Sequence, residues 1–194
     1  MKTSALALSI LLAVPGCSAK AEDRAQPDTS AIAVFSFPPR PDGPVLDQAD
    51  IIPAREEKTL DLRLRELNQR TGDTLVVVSV QSLTDEPIER YATTLFNAWG
   101  IGDARTDRGL LVLVAPNERK VRIEVGCGFE STVTDEIAAK IISDTMLPLY
   151  REGELSAGTL AGVDALLKRI SLPAPANDPG PHTEVCKAQA KEAA

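Results

Sequence analysis

Four carboxylates, Asp103, Asp107, Glu130 and Asp135, sit in two glycine-bearing stretches, residues 100–108 and 126–135. Carboxylate and carbonyl oxygens on flexible loops are the ligands that hard divalent cations such as calcium take. The segment between the stretches brings them together. Residues 109–115 read as a buried strand, 116–119 as a turn and 121–125 as the returning strand, so the two loops meet at one edge of a sheet. If the strand at residues 75–80 runs parallel to the one at 109–115, Asp73 arrives there too, with Arg105 and Arg108 nearby. Each carboxylate also has a structural explanation. Asp135 suits the first turn of a helix, Asp103 and Asp107 suit turns, and Glu130 suits a loop surface. The spacing is not that of an EF-hand. The edge is also the amino end of the parallel pair, whereas ligand crevices in open α/β sheets usually form at the carboxyl end.

Other chemistries find fewer parts. The single histidine, His182, lies in a Pro-rich tail, and Ser131 and Thr132 follow Glu130 with no base beside them. Gly100, Gly102, Gly126 and Gly128 match neither a P-loop nor a dinucleotide fingerprint. The remaining hydrolytic route is metal-assisted attack on a phosphoester through Asp103, Asp107 and Asp135. Of the three cysteines, Cys17, Cys127 and Cys186, none forms a Cys-x-x-Cys pair. Two readings are open for Cys127 and Cys186: a disulfide formed in an oxidising compartment, or a buried thiol and a free one.

The elements that must position these residues are legible from periodicity. Over residues 54–70, Leu60, Leu64 and Leu67 share one helical face, and Gly72 ends the helix. Residues 75–80 form a Val-rich run that fits a strand covered on both faces. Pro87 opens a second helix with Ile88, Tyr91, Ala92, Leu95, Phe96 and Trp99 at helical spacing, stopped by Gly100. After the hairpin, Thr134 caps a third helix whose apolar face is Ile137, Ala138, Ile141, Ile142 and Met146, and Pro148 closes it. A last helix over 155–170 turns Leu160, Val163, Leu166, Leu167 and Ile170 inward. This order predicts an α/β fold, a three-layer α/β/α sandwich around a small mixed sheet.

The ends of the chain read differently. Residues 1–16 have the form of a secretory signal: Lys2, an apolar run too short to span a bilayer, then Val14-Pro15-Gly16-Cys17. The small residue before Cys17 resembles a bacterial lipobox, which predicts lipidation of Cys17 as the mature N-terminus; cleavage near Ala19 or Ala21 is the alternative. Residues 17–44 form a Pro-rich tether, with the run 32–37 able to dock as an edge strand. The folded domain occupies 45–170, and 171–194 is a Pro/Ala-rich tail. The expected location is exported and lipid-anchored, facing the periplasm or the outside. The net charge is −7, and losing Lys2 with the leader leaves 20 basic against 28 acidic residues. Nucleic acid is thus excluded as a partner on charge, since phosphate binding depends on Lys and Arg.

The segments 95–102, 106–111, 121–130 and 147–163 include Asn97-Ala98-Trp99-Gly100-Ile101-Gly102, Asp107-Arg108-Gly109-Leu110-Leu111, Gly126-Cys127-Gly128-Phe129-Glu130 and Leu147-Pro148-Leu149-Tyr150. In this order they resemble the TPM domain family across residues 45–170. Cys127 and Phe129 stand where the family usually carries Tyr and Leu. The resemblance implies an α/β/α sandwich that is often exported. It further implies calcium binding in some members, acid phosphatase activity in some, and accessory roles beside membrane protein complexes in others. Together with the leader and tether, the expectation is a membrane-tethered, non-catalytic accessory module of the cell envelope. It would bind calcium and assist the maturation or maintenance of membrane proteins; the alternative is a metal-dependent acid phosphatase.

Overall fold

The computed structural model describes residues 37–103 and 105–172. Cys17, Cys186, His182 and nearly all of the run 32–37 lie outside them. In chain order the elements are β1 (Val45–Asp47), α1 (Ala54–Thr71), β2 (Thr74–Ser79), α2 (Ile88–Trp99), β3 (Gly109–Ala115), β4 (Lys120–Val125), α3 (Asp135–Ile141), α4 (Leu147–Arg151) and α5 (Leu155–Ile170). A single 3-10 turn, Cys127–Phe129, follows β4, and a π-helical segment, Ile142–Met146, joins α3 to α4.

The four strands lie in the order β1-β2-β3-β4, the first three parallel and β4 antiparallel to β3. Val45, Val77, Val112 and Ile123 form one row across the sheet. On that face Leu75, Leu110 and Val114 join them, packed against Leu60, Leu64 and Leu67 of α1 and against Ala138, Ile141, Met146, Val163 and Leu166 from the α3–α5 half. The opposite face presents Val76, Val78, Leu111 and Leu113, and α2 provides buried Ile88, Tyr91, Ala92, Leu95 and Trp99. The α/β/α sandwich with a mixed sheet is therefore as expected. Each fully buried Leu or Val contributes about 1.5–3 kcal/mol of transfer free energy. Every residue of β3 is buried, so this strand carries the densest share.

Several details differ from the sequence expectation. The edge beside β2 is filled by β1, only three residues long and too short to show a period. Asp47, at its end, accepts N–H bonds from Ile51 (3.1 Å) and Ile52 (2.7 Å) and the Ser79 hydroxyl proton, which ties β1 to β2 and to the entry of α1. Part of the expected tether packs on the domain: the Phe37 ring meets Tyr91 edge-on at 5.1 Å, and Trp99 Nε1 donates to the Pro38 carbonyl at 3.2 Å. Pro148 does not close the third helix. The chain widens into the π segment and continues helical through Arg151, with Pro148 in the first turn of α4. A proline has no N–H to give the carbonyl four residues back, and the wider turn absorbs that loss.

In α5 the buried face is Gly158, Thr159, Gly162, Val163, Leu166 and Ile170, with Leu160 and Leu167 only partly covered. The glycines let the helix approach closely. A Cβ at Gly162 would come within 2.7 Å of Met146 Sδ, and one at Gly158 within 2.5 Å of the Tyr150 ring.

Candidate functional site: an acidic cleft at the amino edge of the sheet

The hairpin delivers both glycine-bearing loops to one place. The β3–β4 ladder continues one step further, where Gly126 N donates to Gly109 O at 2.8 Å. Beyond it, the Asp107 carbonyl accepts from both Gly109 N and Gly128 N at 3.0 Å. The loops touch backbone to backbone: a Cβ at Gly126 would lie 2.4 Å from Asp107 O, and one at Gly128 2.0 Å from Thr106 O. Asp107 itself has φ of +46°, a left-handed conformation that Asp tolerates better than most residues.

A cleft of about 700 Å³ opens beside this junction. Three of the four expected carboxylates line it: Asp107, Glu130 and Asp135. Burial against the cleft wall, and then the charge of Asp135, push the Glu130 carboxyl above its usual range. Two like charges this close make it harder for both to ionise. Glu136 also lines the cleft, and its carboxyl is held below the usual range by the Thr134 hydroxyl. Thr134 in turn accepts from Ile137 N at 3.3 Å, as the cap of α3.

Asp103 is placed elsewhere. It does not line the cleft; its Oδ1 accepts from Arg105 N at 2.9 Å, which holds its carboxyl below the usual range, while its backbone carbonyl accepts from Asp107 N at 2.7 Å. It shapes the loop that presents Asp107. Asp73 does reach this edge, but its buried carboxylate is gripped by Arg108 through Nε (2.6 Å) and Nη2 (3.3 Å). The Arg108 guanidinium lies 4.2 Å from the centre of the Phe129 ring, so this pair braces the loops from beneath.

Sequence reasoning missed three contributors. Arg122 and Glu124 share a face of β4 through its alternation, and both line the cleft. Arg122 Nε donates to Glu124 Oε2 at 3.0 Å, and Thr93 Oγ1 to Glu124 Oε1 at 2.7 Å. Phe96, expected in the core, is only half-buried and forms an apolar wall of the cleft. The alternation of Arg122 and Glu124 with Val121, Ile123 and Val125 was the available signal for the first two, since it puts both polar side chains on one face of the strand; helical spacing gave none for Phe96.

The cleft is acidic without being a preformed metal centre. Among the described residues no group of three or more His, Cys, Asp or Glu side chains is arranged to hold a metal ion. Asp107, Glu130 and Asp135 would have to close further to share one calcium. The hydroxyls at the cleft have structural duties, Thr93 toward Glu124 and Thr134 at its cap. Cys127, on the rim, is disulfide-bonded, and its partner lies outside the described residues. Its Sγ stands 3.8 Å from Glu130 Oε1, a contact and not a hydrogen bond, because a disulfide sulfur carries no proton.

Comparison with known proteins agrees with this architecture. The family profile of the TPM domain matches residues 45–169. The solution structure of the N-terminal domain of a protein from P. gingivalis is similar at 30% identity and a TM-score of 0.62, covering 66% of this chain and 82% of that one. The N-terminal domain of a Corynebacterium glutamicum protein shares the fold at 15% identity and a TM-score of 0.53, over 80% and 97% of the two chains. A protein of the psychrophilic bacterium Bizionia argentinensis shares it at 17% identity and 0.54, over 66% and 88%. No curated protein matches the chain at a significant level.

Proposed function

The chain belongs to the TPM domain family, and from that premise we propose that it is a non-catalytic accessory module of the cell envelope whose acidic cleft receives a cationic group. The observation that supports this reading is the makeup of the cleft. Asp107, Glu130, Asp135 and Glu136 line one opening of about 700 Å³, while its hydroxyls and Glu124 are engaged in structural bonds. Such a site attracts positive charge, and its two hydroxyls are read as structural: Thr93 bonds the Glu89 carbonyl as well as Glu124, and Thr134 caps α3. The cationic group is either a basic side chain of a membrane-protein partner or calcium, and calcium requires the two loops to draw in around it.

The tether and lipidation at Cys17 complete the proposal by keeping the domain near a membrane surface. No described helix is long and apolar enough to cross a membrane. Calorimetric titration of the purified protein separates the two cations. Heat at millimolar calcium, lost in Asp135→Asn, is expected if the loops close on the ion; no heat removes calcium from the proposal. Cross-linking from membranes should recover a reproducible partner, and fewer cross-links from the Asp107→Asn/Asp135→Asn double variant. If nothing reproducible is recovered, the accessory reading fails. The alternative, metal-dependent acid phosphatase activity, is read with a chromogenic phosphate ester. Turnover that vanishes in Asp107→Asn would replace the non-catalytic reading.

A further inference from the structure

The opposite edge of the sheet carries a second opening with the opposite charge. It has a volume of about 600 Å³ and lies between the β3–β4 turn and the junction of α4 with α5. Arg119 reaches it from the turn, Lys120 from the first residue of β4, and Arg151 from the last residue of α4. None of the three takes part in an ion pair among the described residues. Glu152 and Glu154 adjoin Arg151 in sequence, yet neither lines the opening. In a chain with net charge −7, the opening gathers three cations against one nearby carboxylate, Glu118, whose carboxyl is held below its usual range by the Leu83 N–H and, more weakly, by Lys120.

The geometry holds these cations in place. The turn closes through Arg119 N donating to Pro116 O at 3.1 Å. It is anchored from behind: Asn117 Nδ2 donates to Gln81 O at 2.7 Å, and Glu118 Oε1 accepts from Leu83 N at 2.9 Å. Arg119 sits at φ of +54°, which aims it differently from an extended residue. Tyr150 walls the opening, and its hydroxyl bonds Thr159 Oγ1 at 2.8 Å. Burial pushes that phenol up to about 12, so this wall stays neutral. Gly153 and Leu155 also line the opening, which places the start of the 16-residue α5 at its rim; that helix has no side-chain cap. Its amino end adds partial positive charge. The opening also lies at the carboxyl ends of parallel β2 and β3, the usual side for ligand crevices in open α/β sheets.

We propose that this basic opening, formed by Arg119, Lys120 and Arg151 at the start of α5, binds a phosphate-bearing anion. Three positive charges and a helix amino end exceed what one carboxylate neutralises. Guanidinium groups match a phosphoryl group's oxygens bidentately. A lipid headgroup and a soluble phosphate ester present the same chemistry.

The test uses the full chain, labelled with ¹⁵N, titrated with inorganic phosphate. Saturable shifts are expected at Arg119, Lys120, Arg151 and Leu155, with half-saturation in the millimolar range, and at least a tenfold loss in Arg119→Asn/Lys120→Gln/Arg151→Gln. Asn at 119 respects the left-handed backbone. A control, Arg55→Gln/Lys58→Gln/Lys168→Gln, removes the same charge from exposed residues outside the opening and should bind phosphate as the wild type does. Vesicles of phosphatidylcholine with and without phosphatidylglycerol then assign the source. Phosphatidylglycerol-dependent binding that the opening's variant loses marks a headgroup; phosphate binding without it marks a soluble ester. Any N-terminal anchor is common to all three proteins and cancels. Absence of saturable shifts at the opening overturns the proposal, as does an equal loss in the control.

Discussion

The Glu130–Asp135 pair gives the acidic cleft a measurable electrostatic signature. Burial raises the Glu130 carboxyl first and Asp135 adds to it. In Asp135→Asn the Glu130 pKa should therefore fall toward its ordinary value, read by carboxyl ¹³C shifts across a pH titration; an unchanged midpoint would mean the two do not interact. The sign for stability follows from proton linkage. A carboxyl whose folded-state pKa is raised favours the fold while protonated, and that contribution is lost as pH rises through the raised value. Glu130→Gln should thus melt higher than the wild type at pH 7, with the gap narrowing as pH falls below the Glu130 midpoint. The buried Asp73–Arg108 pair behaves oppositely under substitution. Asp73→Asn leaves Arg108 facing a neutral amide and should cost about 2 kcal/mol in urea unfolding, in line with hydrogen bonds to charged groups. A cost near zero would leave the brace to Arg108's contacts with the Phe129 ring and the Gly128 carbonyl. At this scale the convergence of Asp107, Glu130 and Asp135 was legible, because a hairpin must bring its two ends together. The turning away of Asp103 was not, since one bond from Arg105 N decides it.

Element by element, what was legible followed the length of each periodic run. Helix α1, helix α2 and the strands β2 to β4 extend far enough for apolar spacing to mark them. Strand β1 has three residues and no period to read. The helix from Asp135 to Arg151 was cut short in sequence because proline usually ends a helix, and the π segment that carries it past Pro148 leaves no compositional mark. The buried face of α5 was misjudged at Leu160 because glycines, which bury little themselves, set the closest approach. That approach makes a graded prediction. Gly158→Ala drives a Cβ into the partly buried Tyr150 ring at 2.5 Å and the Met146 carbonyl at 3.0 Å. Overpacking of about 1–3 kcal/mol should outweigh the ~1 kcal/mol helix-propensity gain. Gly162→Ala meets only the Met146 side chain, which can shift, and should be the milder of the two in parallel denaturant titrations. The reverse order would show that Met146 is the more rigid neighbour.

The whole domain is organised around β3, which is covered on both faces and paired on both edges. Amides from Leu111 to Val114 should be the last to exchange in native-state hydrogen exchange, since opening them requires parting β2, β4 and both helical layers. If amides of α5 outlast them, the stable unit is the helical layer instead. The same strand begins at Gly109 beside the acidic cleft and ends at Ala115, next to the turn that carries Arg119 and leads to Lys120. Seven residues at 3.3 Å each make a strut of about 23 Å. Being the most tightly held part of the fold, it acts as a ruler. Whatever docks on the carboxylates is kept about that far from whatever docks on the arginines, too distant for direct contact and too stiffly spaced to drift.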